Sequence, residues 1–303
     1  MIENIVLKAL KALSVSQSRL AKFNGEPAVF YQKAPDDVSE FWDEKQYPRI
    51  GYDISWKDDP ERKTVGVMVI NIWCLNESEI PPEDIASEMK DDIDTTFFTD
   101  ESGSYCATWS QNQAFVGAGN EPQTIGITLQ YDLWCFPNMS TIEPDPAAGF
   151  AAYVKSLYPQ VVVVGSDDMA EIWKPTQDHP AFYSRLSGDS VTSKEILYAY
   201  ATYTAQVFGH VIMPSQKDAA SMIREICQKL AIDGEFILPY AQENGTPYIV
   251  KRIEYNPSSN PLKQGQVRVS GDYRVMRFYS PASTIDKIHV TSSDNNTDGT
   301  QKG

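Results

Sequence analysis

Histidine is scarce in this chain, with three in 303 residues: His179, His210 and His289. That removes most openings for the commonest general base and metal ligand. No H-E-x-x-H, G-x-S-x-G or Walker-type loop occurs, and Gly117-Ala-Gly119 lacks both a third glycine and a following helix signal. The four cysteines (Cys74, Cys106, Cys135, Cys227) include no C-x-x-C pair, which reads as free thiols in a reducing compartment. No run approaches the roughly 18 to 20 apolar residues that span a bilayer. An acid, Glu3, stands where a signal peptide carries basic residues. The expectation is a cytoplasmic chain without membrane contact. Positive charge is short as well: 26 Lys+Arg face 41 Asp+Glu, a formal net charge of −15. Such a balance argues against binding a nucleic-acid backbone or an anionic membrane surface.

What is present is a globular composition, 42% hydrophobic and 11% aromatic. The charge is unevenly placed. Residues 1–145 hold 11 basic and 25 acidic residues, whereas 146–303 hold 15 and 16. Between Glu77 and Glu101 ten acids face Lys90 alone. Within it Glu88, Asp91, Asp92 and Asp94 fall on a predicted helix. They read as a solvated face, or as an acidic wall toward a basic partner or toward DNA that must pass without sticking. Neighbouring carboxylates on a helix diverge, so no metal site is expected there. Asp294 to Gly299 opens like a calcium loop but lacks the bidentate Glu at its twelfth position. Neither catalytic residue, cofactor nor metal is expected, and the chain is read as a non-enzyme.

An internal repeat organises the rest. Residues 125–136 and 267–278 align at a shift of 142, placing Ile125 on Val267, Ile127 on Val269, Tyr131 on Tyr273, Leu133 on Val275 and Phe136 on Phe278. Both alternate with period two, as strands with one buried face do. Helices are predicted upstream, over Pro82–Phe98 behind Pro81-Pro82 and over Ser215–Ala231 behind Pro214. Each half also opens with an amphipathic helix, the second capped by Asp145 with Pro146 at its first position. The expected fold is α+β. It comprises two similar units, each helix–three strands–helix–two strands with a mainly antiparallel sheet. The units span 1–140 and 141–290, and 291–303 forms a disordered polar tail. Asp100 to Gln123 reads as a long connection with two readings: Tyr105, Trp109 and Phe115, set among polar residues, await a partner, or the stretch is a plain hairpin whose Trp109 completes the local core.

Tyr47-Pro48-Arg49-Ile50-Gly51, Val65 to Leu75, Pro82 to Phe98 and Ile125 to Pro137, with a looser second copy in 147–281, resemble the tail terminator proteins of tailed bacteriophages. The resemblance implies a ring, usually hexameric, that caps the tail tube, stops its growth and receives the filled head. It also implies the tail tube protein and a head–tail connector or stopper protein as partners, with DNA passing through unbound. The protein would then reside in the virion neck after assembly in the host cytoplasm. Family members are commonly single units, so a doublet leaves open a hexamer or a trimer of doublets. The alternatives are another phage tail, baseplate or head-completion component, or, from a different class, a cytoplasmic enzyme or small-molecule binding module.

Overall fold

The computed structural model describes residues 2–57, 64–117, 123–139, 144–196, 200–239 and 245–276. Strand, at 45%, outweighs helix, at 24%, in three curled sheets that form half-barrels. This corrects the α+β expectation of small helix–three strands–helix–two strands units. Three strands, not two, follow the last helix of each half. Strand was under-read in part because a polar stretch such as Ser110–Ala114, exposed on both faces, loses the alternation that marks a half-buried strand.

The first half runs α1 (Ile2–Ala12), α2 (Ser14–Arg19), β1 (Lys22–Phe23), β2 (Glu26–Pro27), β3 (Val29–Tyr31), β4 (Arg49–Trp56), β5 (Thr64–Leu75), α3 (Pro82–Ile93), β6 (Thr96–Asp100), β7 (Gly103–Val116) and β8 (Thr124–Pro137). The second runs α4 (Pro146–Leu157), β9 (Val162–Val163), β10 (Ile172–Trp173), β11 (Ala181–Ile196), β12 (Tyr200–Ile212), α5 (Gln216–Asp233), β13 (Glu235–Leu238), β14 (Thr246–Tyr255) and β15 (Val267–Met276). Apart from the small β1–β2 ribbon, two sheets result, ordered β10-β6-β7-β8-β5-β4-β3 and β13-β14-β15-β12-β11-β9. Without β10 the two orders correspond strand for strand. β3 on β4 and β9 on β11 are the parallel pairs, and the other ladders are antiparallel.

Each sheet carries its helices on one face. Ile5, Val6 and Leu10 of α1 and Ile85, Met89 and Ile93 of α3 pack on Tyr52, Ile70, Ile72, Leu129 and Leu133. Phe150 and Val154 of α4 and Ile223, Ile226 and Leu230 of α5 pack on Phe182, Val207 and Val269. α3 is shorter than predicted: it ends at Ile93, Thr95 adopts φ 63°, and Phe97 belongs to β6. No helix among the described residues is long and apolar enough to cross a membrane. The tail 291–303, His289 and Phe278 lie outside the described residues.

α4 starts where its cap directs it. The Asp145 carboxylate accepts from Ala147 N at 2.8 Å and Ala148 N at 3.2 Å, with Pro146 at the first helical position. Burial raises the Asp145 carboxyl above its usual value against those two donors. Asp145→Ala should cost about 1 kcal/mol, whereas Asp145→Asn keeps the acceptor without the buried charge. A raised folded-state pKa means that wild type loses stability as pH climbs through it. The Asn variant should therefore gain on wild type from acidic to neutral pH, as thermal melts across that range would show.

A third apolar cluster joins the halves through the sheet faces that bear no helices. Phe97, Cys106, Trp134 and Phe136 of the first sheet meet Val164, Ala181, Tyr183 and Ile212 of the second half. β10 also adds an antiparallel strand to the edge of β6, pairing Ile172 with Phe98 and Trp173 with Phe97.

Candidate assembly surface

The segment Asp100 to Gln123 is not an open connection. Its residues 103–116 form β7, hairpinned to β8, and residues 118–122 lie outside the described residues. Tyr105 and Trp109 are half-buried against the first core. Tyr105 meets the Trp56 ring edge-on at 5.6 Å, and Lys90 Nζ sits 3.6 Å from the centre of the Trp109 ring. A β-bulge between Trp109 and Gln111 then reverses the parity of the strand. Phe115 consequently faces the helix-free side, 4.5 Å from the Trp73 ring. The three aromatics do not form one patch. What the hairpin offers instead is its far end, where Ser110 to Ala114 are exposed and Val116 is 64% exposed.

The four acids stay on the exposed side of α3 and its end, but not as a bare wall. Glu88 pairs with Arg19, whose guanidinium also approaches Asp84 at 4.0 Å. Asp94 Oδ1 accepts from the Trp109 backbone N at 2.8 Å. Asp91 and Asp92 are exposed, and Lys174, from the second half, donates to their backbone carbonyls at 2.5 and 3.3 Å. Lys174 thus caps the negative end of α3. The fold spreads these carboxylates along a helix and ties two of them to cations or backbone, so they do not converge on one ligand.

Elsewhere among the described residues three thiols and one histidine are shielded by burial. Burial pushes the Cys74 thiol up to about 11, that of Cys227 up to about 12, and that of Cys106 well above its usual value. Thiols held protonated in this way are poor nucleophiles at neutral pH. His210 is fully buried with Nδ1 2.5 Å from the Pro261 carbonyl, while His179 is exposed. Among the described residues no three of His, Cys, Asp and Glu come together around a metal position. A cleft of about 370 Å³ opens between β12 and the loop after β14, lined by Val211, Met213, Pro214, Asn260 and Gln266. The Gln266 amide is already held there by the Val211 N–H and C=O, at 2.9 and 2.8 Å.

Two surface features escaped the reading of the sequence. On the helix-free face of the second sheet, Phe208 lies between the Arg185 and Arg268 guanidiniums, 4.6 and 4.8 Å from its ring centre. At the β13 edge of that sheet, Ile237 and Ile249 are 51% and 45% exposed. The run Glu235-Phe-Ile-Leu238, apolar on both faces of a strand, carried a signal for the second feature. The first depends on strand register and had none. Compared with known proteins, the chain matches no family model, and no curated protein matches it.

Proposed function

We propose that the chain is a structural virion protein of the neck, a tail terminator in the form of a doublet that assembles into a ring, ends the tail tube and joins it to the head. The observation that supports this reading is how one half already docks on the other. β10 extends the β6 edge, and helix-free sheet faces close over Phe97, Cys106, Trp134 and Phe136. Units that associate through sheet edges and faces are suited to building larger assemblies. The outer end of β7, where Ser110 to Ala114 are exposed and Val116 is 64% exposed, is the part of the first half offered to the tube. The acidic first half, with 25 acids against 11 basic residues, suits a passage that polyanionic DNA crosses without binding. The ring is a hexamer, or a trimer of doublets, contacting tail tube protein on one side and a connector or stopper on the other.

The decisive experiment adds purified protein to polymerising tail tubes and images them in negative stain. Tubes of defined length, each capped at one end, are expected. Tubes of unchanged length with bare ends would overturn the reading. Removing Ser110 to Ala114 should shorten the hairpin, leave the circular dichroism spectrum folded and abolish capping. Normal capping by that variant would remove the hairpin from the tube contact.

A further inference from the structure

β6 and β13 hold the same place in their sheets, each the strand directly after the last helix of its half (α3 and α5), yet they are covered differently. Phe97 stands between Thr96 and Phe98 as Ile237 stands between Phe236 and Leu238. Across the ladder Phe97 pairs with Cys106, and Ile237 with Pro247. Phe97 and Cys106 are fully buried, because the second half closes over them and β10 occupies the β6 edge. At the matching positions Ile237 and Pro247 are exposed, and Ile249, two residues along β14 on the same face, is exposed as well. Among the described residues β13 pairs with β14 alone. An open strand edge beside exposed isoleucines is a template for another chain.

We propose that this face receives a second copy of the chain, whose β3–β4 loop docks on β13 as the β9–β11 loop docks on β6 within one chain. The proposal rests on the ring-forming reading above and supplies its interface. Three observations choose this occupant. The β3–β4 loop follows the parallel edge strand of the first sheet just as the β9–β11 loop, which contains β10, follows that of the second. Each loop carries an apolar residue just before a tryptophan, Phe41 before Trp42 and Ile172 before Trp173. Trp173 packs on the first half, whereas Trp42 is buried against Phe23 in its own half. That leaves Phe41, 54% exposed, as the ring available to dock. Val38, 94% exposed, adds a second apolar contact to the β3–β4 loop. Charge agrees as well. The β3–β4 loop exposes the acids Asp36, Asp37, Glu40, Asp43 and Glu44 against Lys33 and Lys45. Beside Ile249 the side chains of Lys251 and Arg252 are 60% and 73% exposed, with Glu235 as the exposed acid across the ladder. Both cations already lean on Asp272 and Glu254, so they would guide and orient docking more than strengthen it. A surface of the second half meeting a loop of the first half is a heterologous, head-to-tail contact, which generates rings when its rotation closes.

The test uses two surface variants, Phe41→Asp, which spoils the loop, and Ile237→Arg, which spoils the β13 face. The readout is sedimentation velocity and native mass spectrometry. Wild type should form one closed oligomer, and each variant alone should be monomeric with an unchanged melting temperature. Their equimolar mixture should form dimers and nothing larger, because only one productive contact survives. If Ile237→Arg fails to fold, Ile249→Glu replaces it. Wild-type oligomers from either variant, or a mixture that stays monomeric, overturn the head-to-tail contact while leaving the ring reading intact. A wild-type chain that is monomeric both in solution and on tail tubes overturns both.

Discussion

Truncating Phe136 to alanine is expected to remove about 3–5 kcal/mol of stability, the range for a large ring lost from a closed core. Phe136 is fully buried, its ring edge-on to Tyr183 at 5.1 Å and tilted against Phe97 at 5.5 Å. The site cannot collapse cheaply, because its walls belong to two separate sheets held apart by their own cores. Relaxation that would close the cavity on one side would open a gap on the other. Urea unfolding should show a lower midpoint with little change in slope if the halves unfold together. A loss below about 1 kcal/mol would mean that the ring is not packed between the sheets, and the joint between the halves would have to lie elsewhere.

How much of this was legible in the sequence follows from which face each residue serves. β8 and β15 were visible because their helix-side residues form period-two rows, Ile127, Leu129, Tyr131 and Leu133 on β8 and Val267 and Val269 on β15. β5, in contrast, was visible as the long run Val65 to Leu75, apolar on both faces. Ile127, Leu133 and Val269 are buried as the pattern requires, while Val275, further toward the end of its strand, is partly buried. Asp145 and Ser215 announced helix starts because a cap needs only a local acceptor, and each accepts from a first-turn amide. β7 was not legible. Beyond its bulge the strand runs Gln111-Asn-Gln-Ala114, exposed on both sides, and polarity without period reads as loop.

Phe97 misled for a related reason. Its spacing from Met89 and Ile93 continues a helical stripe, but the turn at Asp94–Thr95 sends the chain into β6 instead. There Phe98 faces the first core and Phe97 faces the second half, so both neighbours are buried on opposite sides. An apolar pair buried on two faces has neither helical nor alternating period. The tryptophan-bearing loops illustrate the limit for the assembly surface. Trp42 and Trp173 correspond by order along the chain, yet Trp42 bridges Phe23 within its own half while Trp173 joins the sheet of the other. Which edge a loop covers depends on tertiary placement, and no local pattern encodes it.

Gly271→Val should be among the most damaging single substitutions in the second half, costing at least about 3 kcal/mol. Gly271 lies on β15 between Ala205 of β12 and Val250 of β14. A Cβ there would stand 2.3 Å from the Ile249 carbonyl oxygen and 2.4 Å from the Tyr248 ring. Tyr248 is fully buried, stacked on Phe236 at 4.6 Å, and its hydroxyl donates to the Ala205 carbonyl at 2.7 Å. The ring can cross β15 to reach that carbonyl only where the strand has no side chain. Burial holds the phenol well above its usual pKa, so it remains a donor. A side chain at 271 must expel the ring or bend the ladder. Expulsion leaves an unfilled core and a carbonyl without its donor. A double-mutant cycle separates the two causes. If the ring is what needs the glycine, Gly271→Ala should cost at least about 1 kcal/mol less in a Tyr248→Ala background than in wild type. Equal costs in both backgrounds would assign the requirement to the Ile249 backbone, and Tyr248 would then be a passenger of the strand geometry.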